Sequence, residues 1–129
     1  MAEIRKVNEH YKELANQLIN SESELNFIKS MGIKIVYLES DDEKKTNGKA
    51  VLGQCEKIAN KNKWAIPYDF SITVFTPNIE GFDDNKLKIL LHHELLHIGF
   101  PNGILGCVPH DVDEFQKIIE KYGFNWQEV

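Results

Sequence analysis

No stretch of this sequence is apolar for the roughly 20 residues that a membrane span requires, and the N-terminus lacks the apolar core of a signal peptide. Neither membrane insertion nor export is therefore expected. Cysteine is scarce. Cys55 and Cys107 are the only two, too few for a disulfide framework, and a reduced cytoplasmic setting is the natural expectation. Positive charge is also short: 15 Lys and Arg stand against 20 Asp and Glu, a net charge of −5 with no basic stripe, which argues against nucleic-acid binding. Internal repeats and low-complexity segments are missing too. What remains is 129 residues, 42% of them hydrophobic, enough for one domain with a real core across residues 1–129.

The most informative stretch is His92-His93-Glu94-Leu95-Leu96-His97, in which residues 93–97 read His-Glu-x-x-His. On a helix, histidines four apart lie about 40° apart around the axis and one turn apart along it. Their imidazoles can close on one Zn²⁺ from the same side. Glu94 falls about 100° from His93 and 60° from His97, beside the metal rather than on it. A general base for metal-activated water belongs there. The context supports a helix. Asp83-Asp84-Asn85 supplies capping side chains and negative charge at its start, Lys86 to Ile98 contains neither Gly nor Pro, and Gly99 and Pro101 end it. Leu87, Leu91, Leu95 and Ile98 form a core stripe, with Ile89 and Leu96 as a further apolar strip, so the helix is expected to be buried. His92 points away from the His93–Glu94–His97 arc and is read as a bystander.

A catalytic zinc site takes three protein ligands and keeps a position open. The expected third ligand is His110, because the Gly- and Pro-rich segment after His97 can turn the chain back over the helix end. Glu114 and Cys107 are the alternatives. Asp111-x-x-Glu114 also reads as a capping-box-like start to a last helix, and Cys107 as a small buried hydrophobe. Asp111 or Asp113 could orient a ligand imidazole.

Elsewhere, Ile4, Val7, Tyr11, Leu14 and Leu18 recur at helical spacing and predict a helix over residues 3–19, with His10 facing solvent. A short helix is expected over 22–30, ended by Gly32. Ile33–Glu39 and Ala50–Ile58 read as an antiparallel pair of strands about a Thr46-Asn47-Gly48 turn. Asp69–Thr76 is the clearest strand, alternating Phe70, Ile72 and Val74 with Ser71, Thr73 and Phe75. At a sheet edge it could hold an extended peptide by strand addition. Trp64 is expected to anchor the preceding connection. The last helix is expected over 111–122, with Phe124 and Trp126 packing back on the sheet. The fold class is thus α+β: N-terminal helices, a small, largely antiparallel three-stranded sheet, a buried motif helix and a C-terminal helix.

The strand around Phe70-Ser-Ile-Thr-Val74, the Leu90-to-His97 segment and Pro109-His-Asp-Val-Asp-Glu-Phe115 together resemble the family described as Putative phage metallopeptidase, small single-domain zincin-like proteins. The resemblance implies metal ligation by His93, His97 and His110, catalysis by Glu94, and a phage or prophage gene acting in the cytoplasm of a bacterial host. The expected function is zinc-dependent hydrolysis of a peptide or protein amide. A non-catalytic, zinc-containing accessory protein acting on a host or phage target is the main alternative. Hydrolysis of a non-peptide substrate by the same metal chemistry is a third reading.

Overall fold

The structure, a computed structural model, describes residues 4–59 and 65–108. The expected C-terminal helix, together with His110, Asp111, Asp113, Glu114 and Trp126, lies outside the described residues, as does Trp64.

The first element among the described residues is a strand, where a helix is expected from residue 3. Arg5–Val7 (β1) pairs antiparallel with Ile35–Ser40 (β2), Arg5 opposite Ser40 and Val7 opposite Leu38. The helical spacing of Ile4 and Val7 was misleading, because both side chains are exposed. Asn8 is where the conformation changes. Its backbone is extended and its Oδ1 accepts from the Tyr11 N–H at 2.9 Å, capping helix Glu9–Ser21 (α1). From there the apolar period holds, and Tyr11, Leu14, Ala15, Leu18 and Ile19 are buried. A turn of 3₁₀ helix (Ser23–Leu25) leads into the short helix Asn26–Ser30 (α2), which buries Leu25 and Ile28. Gly32, at φ +67°, closes it in the left-handed conformation that glycine adopts without penalty.

The Asn47-Gly48 turn is present, both residues at positive φ, but it closes only a two-residue ladder of Lys45–Thr46 (β3) and Lys49–Ala50 (β4). The strand beyond it, Gly53–Lys57 (β5), does not pair with β2 as expected. Phe70–Phe75 (β6) lies between them, parallel to β2 and antiparallel to β5. The main sheet is therefore four-stranded and mixed, in the order β1-β2-β6-β5, rather than three-stranded and largely antiparallel. The composition of β6 explains its place. Phe70, Ile72 and Val74 on one face and Thr73 and Phe75 on the other are all fully buried, as suits a central strand. The half-exposed β5 (Gly-Gln-Cys-Glu-Lys) suits an edge. With β6 inside, it cannot offer a free edge to a peptide; the edge strands of this sheet are β1 and β5.

One face of the sheet, carrying Tyr37, Phe70, Ile72 and Val74, packs against α1 and helix Asp84–Leu95 (α3) in a single apolar cluster. On the opposite face, the Arg5 guanidinium donates to Thr73 Oγ1 at 3.2 Å and Lys44 Nζ lies 5.6 Å over the Phe75 ring. The chain after α3 forms a second small ladder, Ile98–Gly99 (β7) with Gly106–Cys107 (β8).

Candidate metal centre

The helix that carries the site starts as its sequence dictates. Asp83 Oδ1 accepts from the Lys86 N–H at 2.9 Å, and Asp84 adds charge to the first turn. Leu87, Leu90, Leu91 and Leu95 are buried, which fixes the rotation of the helix and so the direction of His93 and Glu94. Its end departs from expectation. The α-helix stops at Leu95 rather than running to Ile98, because Ile98 leaves to pair with Cys107 in β7–β8. The last turn tightens, with the His97 N–H bonded to the Glu94 carbonyl at 3.1 Å. His97 therefore reaches the site from a turn.

The tight turn still brings the motif together. The rings of His93 and His97 stand edge to face at 90°, with centroids 5.3 Å apart. Ligand-type atoms of His93, Glu94 and His97 all lie within 4.8 Å of one another, a group that could hold a metal ion. Glu94 is only 4% exposed, and the two imidazoles are half-buried. The donor set, two neutral nitrogen donors and a carboxylate, suits a borderline divalent cation.

Two features around the cluster were not anticipated from the sequence. The first is Val108. Its carbonyl oxygen lies 2.6 Å from His97 Nδ1, and its N–H donates to the His97 carbonyl at 2.6 Å. A carbonyl only accepts, so Nδ1 carries the proton, which leaves Nε2 as the lone-pair nitrogen. The β7–β8 turn thus sets the tautomer and ring plane of His97, the support that ligand histidines usually receive. The second is Gly53. A Cβ at this position would sit 3.2 Å from the Thr73 carbonyl oxygen, 3.4 Å from Glu94 Cγ and 3.5 Å from Glu94 Oε2. Glycine lets the edge strand close directly onto the buried carboxylate. A lone glycine inside a strand is the sequence signal for such a close approach.

The other singled-out residues lie apart from the cluster. His92 is 2% exposed and is not in the His93–Glu94–His97 group; its Nε2 lies 3.0 Å from Glu24 Oε1. His10 is exposed on α1 and bonds to Asp84 Oδ1 at 2.9 Å. Cys107 is not part of the His93–Glu94–His97 group. Its sulfur faces Cys55, with Sγ 3.4 Å from the Cys55 carbonyl oxygen and 3.9 Å from Cys55 Sγ.

This α+β domain thus gathers two histidines and a glutamate, from a buried helix and the turn that ends it, into one potential metal site. The chain belongs to the family described as Putative phage metallopeptidase, whose family model matches residues 5–129. No curated protein and no solved structure matches the chain. Among the described residues, no helix is long and apolar enough to cross a membrane.

Proposed function

We propose that the protein is a zinc metallopeptidase with a zincin-like arrangement, in which His93, His97 and His110 hold the metal and Glu94 is the general base. The observation that carries the reading is the convergence of His93, Glu94 and His97 on one point, together with a His97 ring already committed through Nδ1 to Val108. A bound Zn²⁺ would polarise a scissile carbonyl and acidify a water molecule. The protein's own groups do the rest. Nε2 of His97 is presented outward by the Val108 carbonyl. Glu94, shielded from solvent, takes a proton from the attacking water and returns it to the leaving nitrogen.

Edge strand β5 is the natural place for an extended substrate. The Leu52 carbonyl accepts from Phe75 N–H and the Ile58 N–H donates to the Asp69 carbonyl, so even-numbered residues face β6. By the alternation of an antiparallel ladder, Gly53, Cys55 and Lys57 direct their backbone groups outward; the Cys55 carbonyl and the Lys57 N–H meet Cys107 Sγ, which leaves Gly53 as the open stretch of that edge. The backbone groups of Gly53 lie beside Glu94, where a peptide backbone could be aligned by strand addition.

The test combines metal content and turnover. Wild type purified without added metal should carry close to one zinc per chain by mass spectrometry. His93→Ala, His97→Ala and His110→Ala should lose it, while Cys107→Ala and Glu114→Ala should keep it. Glu94→Gln should retain zinc and lose roughly 10²–10⁴-fold in cleavage of a mixed peptide library. Equal cleavage by Glu94→Gln and wild type would remove the general-base assignment. Loss of zinc in Glu114→Ala but not His110→Ala would make the site one of two histidines and a glutamate.

A further inference from the structure

Fifty-two positions apart in sequence, Cys55 and Cys107 meet with their sulfurs 3.9 Å apart, one on edge strand β5 and the other on the two-residue strand β8. We propose that they form a reversible thiol–disulfide pair, closed by small disulfides of the glutathione type, that ties the segment orienting His97 to the strand packed on Glu94.

The geometry is that of a poised pair. Both thiols are free and half-buried. A disulfide bond of about 2.05 Å requires the sulfurs to close by roughly 2 Å, within reach of side-chain rotation and a small shift of the short β8. Cys107 is the entry point. Its sulfur lies against the outward edge of β5, where the Cys55 thiol and the Lys57 backbone N–H can both donate to it as a thiolate. Those donors, that of Cys55 first, hold its pKa down to about 7, whereas the same pairing and burial push Cys55 upward. The Cys107 thiolate, its proton released to solvent, attacks one sulfur of the small disulfide and expels one thiolate. The Cys55 thiol then loses its proton and attacks Cys107 Sγ, expelling the second thiolate. Two protein thiols are oxidised, and one small disulfide is reduced to two small thiols.

The position gives the bond a consequence. Cys107 directly precedes Val108, whose carbonyl holds His97 Nδ1, and Cys55 lies two residues beyond Gly53, which abuts Glu94. Drawing β8 onto β5 moves the Val108 carbonyl relative to the imidazole it orients. Loss of such support weakens metal binding by about 10-fold or more. This consequence rests on the metal-centre reading; the cross-link itself does not.

The experiment treats folded, full-length protein with oxidised glutathione and reads intact mass, free thiols and a non-reducing peptide map. Wild type should lose both thiols and two hydrogens, show a Cys55–Cys107 link, and revert with dithiothreitol. Cys55→Ser should stop at one glutathione adduct on Cys107. Two persistently free thiols, a stable mixed disulfide on wild-type Cys107, or a cross-linked dimer would each overturn the pair. Zn²⁺ competition against a chromophoric chelator, on both redox forms, reads the coupling. Equal affinity with the bond in place would overturn the coupling alone. Absence of Zn²⁺ binding by both forms would remove the metal centre and its coupling, while the mass data decide the cross-link independently.

Discussion

His97 owes its orientation to a backbone carbonyl rather than to the helix. The tight turn after Leu95 delivers its ring next to His93, and the Val108 carbonyl, 2.6 Å from Nδ1, decides which nitrogen is left to bind. No side chain announces this in the sequence; Val108 contributes only main-chain atoms, so its role depends on the β7–β8 pairing. Gly53 is a different case. It acts by having no side chain, and a methyl group there would crowd the Thr73 carbonyl at 3.2 Å while resting in contact with Glu94. Gly53→Ala is expected to cost about 1–3 kcal/mol by overpacking, measured by denaturant unfolding. Because β5 must shift to relieve the Thr73 contact and the same strand packs on Glu94, cleavage should fall by about 10-fold while zinc content stays at the wild-type level. A variant with wild-type turnover would show that Glu94 tolerates a shift of β5 and that the close approach is only a packing contact.

At the level of elements, α1 and α3 are joined at the surface by His10 and Asp84, and this contact should respond to pH. The hydrogen bond to Asp84 raises the His10 pKa above 6.5, with the charges of Asp84 and Glu13 adding to it. A raised folded-state value means that the contact contributes fully below about pH 6.5 and fades as pH rises through the folded pKa. Asp84→Asn should bring the His10 titration, followed by NMR of its ring protons, back down toward 6.5. A midpoint that stays raised would assign the shift to other charges. The sequence made some elements plain and hid others, for physical reasons. The motif helix carries an N-cap and an apolar stripe, β6 alternates, and Asn47-Gly48 is a strong turn signal, so all three were legible. Strand β1 was not, because its three residues are exposed and its structure comes from pairing with β2 rather than from its own side chains. Ile4 and Val7 happened to extend the period of α1. The true boundary was written in Asn8, a capping residue placed three before Tyr11.

Across the whole molecule, strand order is where local reading fell furthest short. Strands consecutive in sequence often pair, and that tendency favoured β2 beside β5. Burial on both faces of β6 outweighed it and placed that strand between them. One result is that the candidate site draws on distant parts of the chain: α3 and the turn after it bring His93, Glu94 and His97 together, β5 closes on Glu94, and β8 leads to the carbonyl that holds His97. Another is that the fold and the site are held by different forces. The core is one apolar cluster shared by α1, the sheet and α3, and Leu91 lies fully buried within it. Leu91→Ala should therefore destabilise the protein by about 2–5 kcal/mol with or without metal. Chelation should leave the far-UV circular dichroism of wild type unchanged. It should lower the melting temperature only by the binding linkage, about 4 kcal/mol when metal had been present at roughly a thousand times its Kd. A zinc that organises the fold behaves otherwise, since small domains built around a closed structural site unfold when it is removed. Melting of the apo protein at room temperature would thus place the metal with the structure rather than with the chemistry. It would favour an accessory protein over a peptidase even if every predicted ligand proved correct.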